Sequence, residues 1–169
     1  MGFCLIILAG GNSRRFRSNI GKPYQKIAGK SLVEINISKV RKIKQVKKIV
    51  LVYNKKDTKR VKSLKLKNVK LVLGGKNRQQ SAYNSLKHVV NIKGISKVLI
   101  HDVARPNFSI KLLKSIIKNM SSARAVVPKI EINDAVKQKI DSSLNEYILG
   151  KKRDNLFLTQ TPQAFHLKA

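Results

Sequence analysis

The chain has 169 residues, with 37 Lys+Arg against 8 Asp+Glu, a formal net charge of +29, 42% hydrophobic and 5% aromatic residues. That length suits a single domain, residues 1–169, with a substantial core, and the apolar fraction argues against wholesale disorder. One cysteine, Cys4, excludes an internal disulfide and a cysteine-based zinc cage, and the longest apolar run, Phe3 to Ala9, is far too short for a membrane helix. No basic residue precedes that run, so no signal peptide is expected and the chain reads as cytoplasmic.

In chain order, Phe3 to Leu8 is a continuous apolar run ended by Gly10 and Gly11, the pattern of a buried parallel strand. Ser31 with Glu34 three residues on forms a capping box, and Leu32, Ile35, Val40 and Ile43 make an apolar stripe behind it. Further strands are predicted at Ile49 to Tyr53, Val69 to Leu73 and Val98 to Ile100, and further helices from about Gln79 to Val90 and Ser109 to Met120. Strands alternating with helices imply right-handed βαβ units and a mostly parallel sheet. After Ala125 the pattern changes to short strands without helices, Val126 to Ile132, Ala135 to Ile140 and Leu156 to Thr159, read as an extended hairpin or arm at about 132–155.

Between Lys39 and Lys70 there are 14 basic residues and one acid, Asp57. A nucleic-acid surface is one reading, but the window holds a single aromatic, Tyr53, and no zinc-finger or RNP motif occurs. Solvated lysine-rich helix faces explain it better, and the field would also draw in a soluble anion. The acids, Glu34, Asp57, Asp102, Glu131, Asp134, Asp141, Glu146 and Asp154, form no tight pair, and His88, His101 and His166 show no metal-site spacing with them. Chemistry is expected from cations and backbone amides.

In an open parallel sheet the ligand sits at the carboxyl ends of the strands. The first strand runs into Ala9-Gly10-Gly11-Asn12-Ser13-Arg14-Arg15, where glycines allow close backbone approach and forked guanidinium donors suit a polyphosphate. No GxGxxG fingerprint or P-loop is present. Lys22 stands in a Gly-Lys-Pro turn, where Pro23 is expected to hold the lysine extended. The third strand ends in Gly74-Gly75-Lys76-Asn77-Arg78-Gln79-Gln80-Ser81, leading into a helix N-terminus that favours anions. The fourth ends in His101-Asp102-Val103-Ala104-Arg105-Pro106, and Asp102, the only acid between Asp57 and Glu131, is the best candidate to approach a magnesium-bound polyphosphate.

Together with Gln160-Thr161-Pro162-Gln163-Ala164-Phe165, these loops resemble, in order and spacing, the 2-C-methyl-D-erythritol 4-phosphate cytidylyltransferase family, from Phe3 to Phe165. The resemblance implies a doubly wound α/β, Rossmann-like nucleotidyltransferase domain with a mostly parallel sheet and a short β-arm. It implies a reaction of CTP with a polyol phosphate, 2-C-methyl-D-erythritol 4-phosphate, that releases pyrophosphate in non-mevalonate isoprenoid biosynthesis, with Mg²⁺ or another divalent cation as cofactor. By position, Arg15 and Lys22 would grip the triphosphate and stabilise the transition state. Ala9, Gly10, Gly11, Gly75, Lys76 and Ser81 would bind the nucleotide. Asp102 would meet the ribose and the metal, Arg105 and Thr161 the polyol phosphate, and Arg153 would act catalytically on that substrate from the arm of a second subunit in a homodimer.

Departures from the family pattern are Gly21-Lys22-Pro23-Tyr24 where Pro-Lys-Gln-Tyr is usual, and Ala135 where a threonine commonly binds the substrate phosphate. The family continues beyond the position of Ala169, so the chain is expected to be truncated at its C-terminus relative to the family, as a fragment of a longer or bifunctional protein or as a degenerate product with impaired turnover, and the sequence as given is expected to bind CTP weakly. Two alternatives stand beside this reading: another CTP-dependent nucleotidyltransferase acting on a ribitol or sugar phosphate, and a basic nucleic-acid or anion-binding protein without catalysis. The missing stacking platform argues against nucleic acid as a partner, and no membrane association is expected.

Overall fold

The computed structural model describes residues 2–11, 20–139 and 147–168. Among these residues the strands are β1 (Gly2–Ala9), β2 (Lys26–Ile27), β3 (Lys30–Ser31), β4 (Val46–Tyr53), β5 (Val69–Leu73), β6 (Ile95–Asp102), β7 (Ala125–Val126), β8 (Lys129–Glu131), β9 (Val136–Lys139), β10 (Tyr147–Lys151), β11 (Phe157–Thr159) and β12 (Gln163–His166). The helices are α1 (Leu32–Val40), α2 (Thr58–Ser63), α3 (Arg78–Val89) and α4 (Ile110–Asn119).

A six-stranded sheet in the order β5-β4-β1-β6-β12-β7 forms the centre. Its β5, β4, β1 and β6 strands are mutually parallel, and β12 enters antiparallel beside β6. Every residue of β1 is buried, as an apolar run flanked by parallel partners on both edges requires. Its alternate side chains feed two cores. Phe3, Leu5, Ile7 and Ala9 pack with Val33, Ile37 and Val40 of α1 and Leu113 and Ile116 of α4. Cys4, Ile6 and Leu8 pack with Val50, Val52 and Val72 of the sheet and Val89 of α3. The fold is therefore three-layered, with α1 and α4 on one face of the sheet and α3 on the other. Burial pushes the Cys4 thiol up to about 12, which leaves it a small core group.

The capping box at Ser31 and Glu34 is complete, with the Ser31 side chain accepting from the Glu34 amide and the Glu34 side chain accepting from the Ser31 amide. The buried face of α1 is Leu32, Val33, Asn36, Ile37 and Val40, rotated from the expected stripe; Ile35 is only partly buried and Ile43 lies past the helix end. Hydropathy alone placed the stripe on Ile35 because the residue that shares the core face beside Ile37 is an asparagine. α2 follows a run of lysines that carries no apolar stripe, and β12 grows out of a segment with no strand alternation. Neither was expected. The late strands form separate ribbons, β9 with β10 and β8 with β11, in agreement with a short β-arm; its residues 140–146 fall outside the described ones.

Leu99 is fully buried in β6, so Leu99→Ala is expected to lower unfolding stability by about 3 kcal/mol, read as a shifted urea midpoint with an unchanged slope.

Candidate active site

The register of the sheet sets the site. Ala9 pairs with Tyr53, Tyr53 with Leu73, and Leu8 with Asp102, so the carboxyl ends of β1, β4, β5 and β6 are level. The loops after them face one another around β1, on whose two sides the neighbouring strands lead to different crossovers.

On one side two glycine loops touch. A Cβ on Gly10 would sit in ordinary contact, 3.4 Å from Gly74 Cα and 3.7 Å from Ser81 Oγ, whereas one on Gly74 would crowd Ser81 Oγ at 3.2 Å and the Tyr53 carbonyl oxygen at 3.3 Å, so the tight fit of the two loops leans on Gly74. A Cβ on Gly75 would lie 2.1 Å from Gln80 Cγ, which excludes any larger residue without a shift of the first turn of α3. Ser81 ties this loop down: its hydroxyl accepts from Gly75 N–H at 3.0 Å and donates to the Asn77 carbonyl at 2.8 Å. Asn77 caps α3, its side chain accepting from Gln80 N–H at 2.8 Å, and Lys76 stands exposed beside it. The Asn54 side-chain amide donates to the Gly10 carbonyl at 3.2 Å and joins the end of β4 to the same group. Ala9 closes β1 within the core, 1% exposed, so its backbone is what it presents to the loop. Gly11 has open space around it.

On the other side lies Asp102. Arg78 Nε stands 3.0 Å from one carboxylate oxygen and Arg105 Nε 3.7 Å from the other. Arg105 also donates to the Gln160 side-chain carbonyl. Thr161 is buried, and its hydroxyl meets His101 Nδ1 at 2.9 Å and the Asp102 N–H at 3.3 Å. The nucleotide-loop residues and the Asp102, Arg105 and Thr161 group thus share one end of the sheet. Lys22 opens a 3-10 turn, Lys22–Tyr24, rather than standing extended; the extended residue is Gly21, at φ −54° and ψ 143°. Burial of Pro23 and Tyr24 holds that turn, and proline at its start removes no donor the turn needs. Beneath it the buried Asp57 pairs with Arg60 at 3.1 Å, and a Cβ on Gly21 would be 3.8 Å from both Asp57 carboxylate oxygens. Arg153 lies on the arm, donating to the Asn133 carbonyl. Arg15 falls among residues 12–19, outside the described ones.

Among the described residues no group of three His, Cys, Asp or Glu could hold a metal. A hard cation held by one carboxylate, with phosphate oxygens and water filling the rest of its shell, needs no such group. Asp102, 28% exposed at its side chain, fits that mode.

A model of the 2-C-methyl-D-erythritol 4-phosphate cytidylyltransferase family (IspD) matches residues 3–169. The chain belongs to this family. It is 45% identical over 168 residues to a bifunctional IspD/IspF enzyme of Pelagibacter ubique, covering 99% of the chain but 44% of that relative. It is 36% identical to the 2-C-methyl-D-erythritol 4-phosphate cytidylyltransferase of Dictyoglomus thermophilum, over 95% of the chain and 70% of the relative. Among solved structures, the 4-diphosphocytidyl-2C-methyl-D-erythritol synthase of Anaerococcus prevotii superposes with a TM-score of 0.78 at 30% identity, covering 99% of the chain and 70% of that structure. The bifunctional IspDF of Campylobacter jejuni gives 0.83 at 27% identity, covering 99% and 42%. The family's fold, a mostly parallel sheet between helices, is the one described above, and cytidylyltransferase chemistry is the family's activity.

Asn77 and Gln160 support the site from within the strand-end motifs, and Asn36 and Asn54 support it from outside them. Asn36 left one usable signal, a polar residue between two isoleucines on a helix with an apolar face.

His101 is fully buried, and burial lowers its pKa to about 4. The unfolded chain binds that proton near pH 6.5 and the folded one does not, so this contribution to stability is complete at neutral pH and is lost as pH falls toward 4. The loss is expected to reach about 3 kcal/mol, measured as the difference in urea-midpoint pH dependence between the wild type and His101→Asn.

Proposed function

We propose that this chain transfers the cytidylyl group of CTP to 2-C-methyl-D-erythritol 4-phosphate, forming 4-diphosphocytidyl-2-C-methyl-D-erythritol and pyrophosphate. The observation that carries the reading is the level register of the four strand ends, which sets the touching Gly10 and Gly74 loops opposite Asp102 and its two arginines.

The chemistry asks little of the protein in proton transfer. A phosphate oxygen of the acceptor, already anionic at neutral pH, attacks the α-phosphorus of CTP; the bond to the β-phosphate breaks and pyrophosphate leaves with the electron pair. No general base is required, in keeping with a chain of 8 acids. Negative charge spreads over the transferring group, and fixed cations lower the barrier. Arg15 and Lys22 take that role. Gly10, Gly11, Gly75, Lys76 and Ser81, with the backbone of Ala9, form the nucleotide site. The amides at the start of α3 add donors for phosphate or ribose oxygens. Asp102 would hold Mg²⁺, which when bound offsets phosphate charge and aligns the reacting groups. Arg105 faces the acceptor, Thr161 acts from beneath because its buried hydroxyl is taken up by His101 and the Asp102 N–H, and Arg153 reaches the acceptor from the arm of a partner subunit in a homodimer. No helix among the described residues is long and apolar enough to cross a membrane, and the substrates are soluble anions, so we place the enzyme in the cytoplasm.

The test is pyrophosphate release from Mg-CTP with a panel of acceptors that includes the ribitol and sugar phosphates. Turnover with 2-C-methyl-D-erythritol 4-phosphate is expected to exceed the others. Arg15→Ala and Lys22→Ala should each lower kcat by about 10²- to 10³-fold with little change in melting temperature. Release that is indifferent to both substitutions, or preference for another acceptor, defeats the reading.

A further inference from the structure

Asn36 is fully buried on the core face of α1. Its side-chain nitrogen lies 2.7 Å from the Leu32 carbonyl oxygen and 3.0 Å from the Val103 carbonyl oxygen. Carbonyl oxygens only accept, so the amide NH₂ must face them, which leaves Oδ1 facing His101 Nε2 at 2.8 Å. Oδ1 in turn only accepts, and this puts the ring proton on Nε2. Nδ1 of the neutral ring then accepts from the Thr161 hydroxyl at 2.9 Å. With its proton committed to the ring, the Thr161 oxygen accepts from the Asp102 N–H at 3.3 Å. Each link sets the direction of the next.

This chain of bonds brackets Asp102. Asn36 holds the Val103 carbonyl on one side and, through His101 and Thr161, the Asp102 amide on the other. The ring is wedged edge-on against Phe108, with centroids 4.7 Å apart at 70°. Lys39 clasps the following turn by donating to the Pro106 carbonyl at 2.6 Å and the Phe108 carbonyl at 3.2 Å. α1 therefore reaches across the core to hold the segment that carries the site's carboxylate.

We propose that His101, as the neutral Nε2–H tautomer, is a positioning residue for the transfer reaction: with Asn36 and Thr161 it sets the backbone of Asp102 and so the direction of its carboxylate. The inference rests on the reading of the strand-end cluster as a nucleotidyltransferase site. His101 is 0% exposed and cannot touch substrate, so any effect on turnover must pass through its partners.

The experiment compares His101→Asn, whose side-chain oxygen falls where Nδ1 does and still accepts from Thr161, with His101→Leu, which cannot accept. Each variant is assayed well below its own melting temperature, so that both are folded. His101→Leu is expected to lose about 10- to 100-fold in kcat, and His101→Asn to recover most of that loss; equal kcat in the two variants overturns the proposal. Nitrogen-15 NMR of the wild-type chain without substrate should show the ring protonated on Nε2, and a proton on Nδ1 likewise overturns it. A wild-type chain that releases no pyrophosphate defeats the functional reading. The positioning claim is then judged on the Asp102 amide resonance, which should shift in His101→Leu and stay near its wild-type position in His101→Asn; an equal shift in both refutes it.

Discussion

A strand buried on both faces and paired on both edges has no freedom left, and β1 is such a strand. Parallel partners on either side force the connections to cross over helices and return to the same end, so the loops that leave β1, β4, β5 and β6 must collect at their carboxyl ends. The crowding there explains Gly74 and Gly75. Gly10 and Gly74 lie back to back because two backbones have to pass between strands spaced as a parallel sheet dictates, and a side chain on Gly74 would press on the Ser81 hydroxyl and the Tyr53 carbonyl. The nucleotide loops are thus a consequence of the sheet's topology before they are a device for binding phosphate.

The other half of the site is organised by bonds that water cannot compete for. The ion pairs of Asp102 with Arg78 and Arg105 are half exposed, and pairs of that kind contribute little to stability. They order the carboxylate only loosely. Of the bonds beneath them, those from Asn36 to His101 and from His101 to Thr161 are sequestered in the core, where an unmet donor or acceptor costs far more than a met one gains, and the last, from the Asp102 amide to Thr161, is partly buried. Rigidity at the end of β6 therefore comes from below, and the surface guanidinium groups remain able to exchange one anion for another. A site that must release Asp102 to a cation, or turn its arginines toward an arriving phosphate, needs this division between a fixed base and exchangeable charges.

The parallel core was legible in the sequence because its signals are local: the unbroken apolar run of β1, the capping box at Ser31, and the glycines that end β1 and β5 each speak for themselves. The rotated stripe of α1 was not, since hydropathy counts Asn36 as a surface residue, and only its partners 67 and 65 residues away make it an interior one. β12 escaped for a similar reason: what makes Gln163–His166 a strand is the open edge of β6, not its own pattern. Of the candidate site, the loops and most of their cations could be read directly, whereas the residues that hold those loops in place could not. Asn36 and Asn54 belong to no motif. Their identity is decided by which carbonyl or ring nitrogen lies opposite in the folded chain.

Asn36 also shows why a helix can matter to a site it does not line. A leucine at that position would suit the surrounding Val33, Ile37 and Val40, and burying an amide in such company is unfavourable unless both its nitrogen and its oxygen find partners. Here Nδ2 serves two carbonyls and Oδ1 a ring nitrogen, so the network is complete where it begins. A complete network has one low-energy arrangement, because displacing α1 by even an ångström would strand several groups at once. An apolar contact at the same place would tolerate sliding. The polar residue exchanges some of the latitude of hydrophobic packing for a defined distance between α1 and the end of β6, and that distance is the one on which the direction of the Asp102 carboxylate depends.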